Sequence, residues 1–245
     1  MNKNYNGLKS VKHPKLSLVI VIMFSLIIGS CASSEVADSK DVNQNKIYQY
    51  YYVLGEYDNP DTYYVKAQFR FGGNKGTTLK LSEPSKTLAN NIGLNEEINS
   101  FSGAYYEANI SKSNEIEFIF IDTDNKKYSN KCKINEFASV EYKDFDVNSK
   151  IEVEWIGPAL DNHETMSIYI EDNEKNICTK STDIKGAKSI IINSDDMQTL
   201  KAGSAQYYFV RSYSAKTKEA GDNGGEIFTE YKSSLNSVIL YKNEK

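Results

Sequence analysis

The chain has 245 residues, with 29 Lys+Arg against 33 Asp+Glu, a formal net charge of −4, and only 2 histidines. That balance gives no electrostatic reason to bind nucleic acid, which is held by clustered basic residues that neutralise phosphates. Two histidines and 3 cysteines are also too few for a histidine-rich zinc site or an iron–sulfur centre.

The first element is a targeting segment. Lys3, Lys9, Lys12 and Lys15 precede an apolar run from Leu16 to Ile28 that only Ser17 and Ser25 interrupt. A basic start, a short apolar middle and small residues before a cut mark a secretory signal. At about 13 residues the run is short of the roughly 20 that a helix needs to cross the hydrocarbon core.

The run ends as Leu26-Ile27-Ile28-Gly29-Ser30-Cys31. This resembles the lipobox of bacterial lipoproteins, with Ile28 where Leu is usual and Gly29 where Ala or Ser is usual. The resemblance implies cleavage before Cys31, a diacylglyceryl group on its sulfur, and acylation of the new amino terminus. Each buried methylene contributes about 0.8 kcal/mol, so several acyl chains hold a membrane stably where one binds marginally. The expected address is the cell envelope, anchored through Cys31, in the outer membrane if the cell has one. Removing residues 1–30 leaves 215 residues with a net charge of −8.

Residues 31–45 are polar, acidic and free of aromatics. They read as a lipidated, disordered tether. From Ile47 the pattern changes to strand-like runs separated by Asn, Asp, Gly and Ser clusters. The runs are Ile47 to Leu54, Tyr63 to Phe71, Thr77 to Leu81, Ala104 to Ile110, Glu115 to Ile121 and Tyr128 to Ile134. Their spacing predicts a first sandwich over residues 46–136. Within it, Asp122-Thr123-Asp124-Asn125 reads as a turn, since Asx side chains bond their own backbone. The alternative, a calcium loop, lacks the glycine and distal glutamate of an EF-hand.

Residues 137–245 form the second expected domain. Ile151-Glu152-Val153-Glu154-Trp155 alternates strictly, placing the two glutamates together on a solvated face rather than as an acid/base couple. This strand, Pro158 and Thr165 to Ile170 resemble the opening of a fibronectin type III domain. Leu200-Lys201-Ala202-Gly203-Ser204-Ala205-Gln206-Tyr207-Tyr208 is similar to the tyrosine corner of that fold, with Ala202 where Pro is usual and one extra residue. The corner tyrosine is therefore Tyr207 or Tyr208. Asn236 to Tyr241 is the closing strand.

The expected fold class is all-β: two consecutive immunoglobulin-like or fibronectin type III-like β-sandwiches after a lipoprotein signal peptide and tether. Cys132 and Cys178 form an even pair in an exported, oxidising setting. They either bridge, closing a loop of about 45 residues, or stand as two half-buried thiols.

Little in the chain announces a reaction. His163 is the only histidine after the signal, so any Ser-His-Asp arrangement must use it; its setting between Asn162 and Glu164 reads as an exposed loop. Gly72-Gly73-Asn74-Lys75-Gly76 and Gly221-Asp222-Asn223-Gly224-Gly225 sit between strands and read as loops, not phosphate cradles. No cofactor or metal is expected. The aromatic content is more informative. Tyr48, Tyr50, Tyr51, Tyr52, Tyr57, Tyr63 and Tyr64 crowd the start of the first domain. Tyrosine offers a rigid apolar ring with a polar tip, suited to sugar stacking or protein contact. Tyr50, Tyr52 and Tyr63 are the candidate ligand contacts, against the plain alternative that Tyr suits half-buried strands. The expected role is a non-catalytic binding, adhesion or scaffolding module with a protein or glycan ligand. A carboxylate-dependent hydrolase of envelope or extracellular polymers is the opposing reading. A structural subunit of a surface or secretion assembly, docking through sheet edges, is a third.

Overall fold

The computed structural model describes residues 35–243. The signal segment and the lipobox cysteine, Cys31, lie outside the described residues, as do residues 32–34 of the expected tether.

Nineteen strands account for the fold. In the N-terminal half they are β1 (Val36–Asp38), β2 (Ile47–Glu56), β3 (Asn59–Phe71), β4 (Thr77–Lys80), β5 (Lys86–Ala89), β6 (Ile92–Gly93), β7 (Asn95–Asn99), β8 (Gly103–Ser111), β9 (Ile116–Ile121) and β10 (Lys127–Cys132). In the C-terminal half they are β11 (Ala138–Ser139), β12 (Asp144–Asp146), β13 (Ile151–Ile156), β14 (Glu164–Asp172), β15 (Ile177–Thr182), β16 (Ser189–Ile192), β17 (Gly203–Lys216), β18 (Gly225–Lys232) and β19 (Asn236–Tyr241). The protein is an all-β sandwich.

One sheet runs through both halves in the order β1-β4-β3-β2-β18-β17-β14-β15, with β8 also on β3 and β19 also on β17. The junction is parallel: β18 lies along β2 from Gly225↔Gln49 to Lys232↔Glu56. Two smaller sheets, β10-β9-β5-β6 and β11-β13-β16, form the second layer.

Each smaller sheet closes its own core against the long one. Tyr51, Val65, Ala67 and Phe69 of the long sheet meet Ile116, Phe118 and Phe120 in the first core. Tyr51 stacks on Phe118 at 4.6 Å and Phe69 on Phe120 at 4.3 Å between ring centroids. In the second core Ile168, Ile170, Tyr207 and Phe209 meet Val153, Trp155, Ile190 and Ile192. Side chains alternate between faces along a strand, and Ile227 and Thr229 of β18 register with Tyr51 and Val53 of β2. Both small sheets therefore cover the same face of the long one.

The segment after Cys31 departs from the expected tether. Val36 to Asp38 pair in parallel with Thr78 to Lys80, and Ala37 and Val42 pack on the first core. Ser39 is fully buried and its Oγ accepts from the Ser82 amide at 2.8 Å. Gln44 Nε2 donates to the carbonyls of Ser39 and Val42 at 2.6 and 2.8 Å. A polar composition suggests disorder because apolar burial is scarce; here side chains satisfy the local backbone, so the segment orders with little apolar area.

The cysteines do not meet. Cys132 belongs to the first core and Cys178 to the second, each as a free, buried thiol. Burial, with Glu115 adding to it, pushes the Cys132 thiol up to about 12, and burial likewise raises Cys178. Iodoacetamide at pH 8 is expected to leave both unlabelled in the native protein and to label both after denaturation, because the thiolate is the nucleophile. A Cys132–Cys178 peptide in a non-reducing digest would contradict this.

Tyr207, not Tyr208, carries the buried hydroxyl. It donates to the Val140 carbonyl at 2.8 Å and accepts from the Tyr142 amide at 2.9 Å. A tyrosine corner closes on backbone a few residues upstream; this one ties down the segment between β11 and β12 instead. Asp122 and Asp172 build matching turns. Asp122 Oδ1 accepts from the amides of Asp124 and Lys126, and Asp172 Oδ1 from those of Glu174 and Asn176. Asn125 and Lys175 close these turns with φ of 61° and 68°.

Candidate functional site

With both small sheets on one side, the opposite face of the long sheet is left without a covering layer. Its side chains follow from strand alternation. β3 contributes Tyr64, Lys66 and Arg70, β2 contributes Tyr50 and Tyr52, and β18 contributes Glu226, Phe228, Glu230 and Lys232. β8 adds Tyr105 and Glu107, β17 adds Tyr208, and β14 adds Tyr169.

These residues hold one another. Tyr52 donates to Glu230 Oε2 at 2.6 Å, and Tyr64 donates to Glu107. Ser214 Oγ donates to Glu226 Oε1 at 2.5 Å, while Tyr48 reaches its Oε2 at 3.4 Å. Tyr52 stacks with Phe228 at 6.1 Å and 16°, and Tyr169 with Tyr208 at 4.9 Å and 10°. Lys66 Nζ sits 3.9 Å above the Tyr105 ring, and Lys232 Nζ 4.8 Å above that of Tyr208, both within cation–π range. Burial, then Glu226, pushes the Tyr48 hydroxyl up to about 12; burial and Glu230 raise Tyr52 as well. The phenols are therefore neutral donors at physiological pH.

The array is rigid, aromatic, hydroxyl-rich and mixed in charge. Tyrosines held in this way give contact area at small conformational cost, as in antibody paratopes. Tyr50 stands apart: it is half-buried between Gln68 and Glu226, with no ring stack or hydroxyl partner among the described residues. Of the three tyrosines singled out in the sequence, Tyr50 and Tyr52 share this face. Tyr63 does not. It is 3% exposed, on the core side, with its hydroxyl donated to Glu136 at 2.6 Å. Tyr64, Tyr105, Tyr169, Tyr208 and Phe228 were missed, because membership of the face depends on which strands are neighbours.

Other candidate chemistry is dispersed. Glu152 and Glu154 are exposed on β13, and Glu152 accepts from Ser189 Oγ. His163 is exposed with φ of 66°, its ring edge-on to Tyr213 at 6.5 Å. Glu164 is buried and fully engaged with Arg211. Among the described residues, no group of three or more His, Cys, Asp or Glu is placed to hold a metal ion.

No protein family and no curated protein matches the chain. Among solved structures, a chain of a cytokine receptor complex aligns with a TM-score of 0.30 and 10% identity, over 76% of this chain and 94% of that one. A bacterial ice-binding adhesin gives 0.21 and 12%, over 79% of this chain and 66% of that one. Titin Ig tandem domains give 0.21 and 11%, over 80% and 95%. Likenesses at this level carry no functional argument, and the reading below rests on the face itself.

Proposed function

We propose that the chain is a lipid-anchored, non-catalytic binding module of the cell envelope that holds its protein or glycan ligand on the uncovered tyrosine face. The observation that carries this reading is the continuity of that face across β8, β3, β2, β18, β17 and β14. An aromatic, hydroxyl-rich surface of mixed charge suits contact with a ligand, since tyrosine is enriched where interfaces draw their affinity. The lipobox at Cys31 supplies the anchor. An exported module held at a membrane needs no reaction of its own to be useful; it needs a surface.

The test is photo-crosslinking in intact cells, with benzoyl-phenylalanine at position 50 on the face or at position 152 on the opposite layer. Adducts from position 50 and none from 152 are expected. No adduct from 50, or equal adducts from both, would sink the proposal. Radiolabelled palmitate incorporation that is abolished by Cys31→Ala is the companion result for the anchor.

A further inference from the structure

The tyrosine face does not end flat. Beyond the Tyr169–Tyr208 stack, a concavity of about 400 Å³ opens over β14, β17 and β19, between the Asp172 turn and Lys143. Its position follows from register: Tyr169↔Tyr208 is followed by Glu171↔Gln206, and Gln206↔Ser237 by Ser204↔Ile239. The volume falls within the range of about 300–1,000 Å³ typical of ligand pockets.

Its chemistry is selective. Asn173, Ser204, Gln206 and Ser237 converge on it, and none of these side chains has a hydrogen-bond partner among the described residues. Two amides and two hydroxyls each donate and accept, which suits a ligand whose own groups do both. Formal charge cancels. Lys175 donates to Glu171 at 2.5 Å. Asp172 Oδ2 is taken by Asn176 Nδ2 and the Lys201 amide, and its Oδ1 by two further amides. Lys143 and Asp172 are the remaining two charges of the lining and are opposite in sign, so it offers no net positive charge to a phosphate. Ile239, 51% exposed and opposite Ser204, supplies an apolar wall.

We infer that this concavity is a saccharide subsite, taking a neutral oligosaccharide whose hydroxyls pair with Asn173, Ser204, Gln206 and Ser237. A sugar ring pairs an edge of hydroxyls with apolar C–H faces, matching the four polar groups and the Ile239 wall. The inference deepens the binding reading above by assigning a ligand class to one end of the face, and it stands or falls separately from the crosslink at position 50.

Saturation-transfer NMR on the full chain in detergent micelles, with maltotriose, cellotriose and chitotriose as probes, tests it. Saturable binding of at least one probe is expected. Gln206→Ala should weaken that binding by about tenfold, the size of one neutral hydrogen bond. Glu152→Ala, on the opposite layer, should leave it unchanged. Gln206 is exposed, so the first variant is expected to keep its melting temperature. No binding of any probe overturns the inference, as does binding indifferent to Gln206→Ala. Binding lost only in Tyr52→Ala also overturns it, by moving the sugar to the central tyrosines.

Discussion

Arg211→Ala is expected to cost about 3–5 kcal/mol of unfolding free energy, the range for removing one partner of a buried ion pair. Arg211 and Glu164 each have 2% side-chain exposure and meet at 2.5 Å. Arg211 Nη1 donates to the Pro158 carbonyl and Nη2 to that of Ala159, at 2.9 and 3.0 Å. Glu164 also accepts from Asn135 Nδ2 and the Asp161 amide. Removing the guanidinium thus leaves a buried carboxylate without its counter-charge and the Ala159 carbonyl without this donor, while the Pro158 carbonyl keeps Trp155 Nε1 at 3.0 Å. The double variant Glu164→Leu/Arg211→Met should recover most of the loss, since apolar replacement of a buried pair is often neutral. Urea unfolding followed by tryptophan fluorescence at Trp155 measures both variants against the parent. A single-variant loss below about 1 kcal/mol would show the pair to be screened as surface pairs are.

The same pair makes stability depend on pH. Burial opposes the charge on Glu164, but hydrogen bonds from Arg211, Asn135 and Asp161 outweigh it and hold the carboxyl below its ordinary range. Asp172 behaves likewise: burial opposes its charge, while Asn176 and the amides of Lys201, Asn176 and Glu174 hold it at about 2. A carboxyl with a lowered folded pKa contributes stability above its unfolded value and loses it as pH falls through the folded one. Unfolded Asp and Glu titrate near about 3.9 and 4.3. The urea midpoint should therefore fall as pH drops from about 4 towards 2, and by less in Asp172→Asn.

Phe118→Ala is the second large effect, expected at about 3–5 kcal/mol for truncating a buried aromatic. Phe118 is fully buried and stacked on Tyr51, which lies on β2, the strand paired with β18. The loss should appear in both halves at once. A single calorimetric transition, shifted as a whole, is expected because one sheet passes through both cores; independent sandwiches would give two transitions with only the first displaced.

Much of the strand layout was legible. Asn236 to Tyr241 is β19, and Ile151 to Trp155 lies within β13, whose strict alternation is its signal. The runs beginning at Ile47, Tyr63, Ala104 and Glu115 each fall on a strand within a few residues. β18 went unread although Ile227, Thr229 and Tyr231 alternate with Glu226, Phe228 and Glu230. Its signal is that alternation, immediately after the glycine-rich loop. The tether failed because composition reports average burial and not whether Gln44 or Ser39 finds a backbone partner.

Tyr63 shows a local pattern that was there to be used. In the doublet Tyr63-Tyr64 the following Val65, Ala67 and Phe69 alternate with Lys66, Gln68 and Arg70, which puts Tyr63 on the core side and Tyr64 on the outer face. Gly55, opposite Tyr63 on β2, makes room for the ring. A Cβ there would meet Tyr231 at 2.8 Å and Tyr63 at 3.0 Å, so both rings occupy the space that the glycine leaves.

The sequence by itself determined the class of element: short alternating strands, Asx turns, glycine loops and a core tryptophan, all set by interactions within a few residues. Only the tertiary structure decided that β2 and β18 lie side by side, that both small sheets cover one face, and that Cys132 and Cys178 stand in separate cores. Those facts depend on pairing between strands far apart in the chain, which local propensity does not encode. The tyrosine face is a product of both: alternation supplied its residues, and the parallel junction made them continuous.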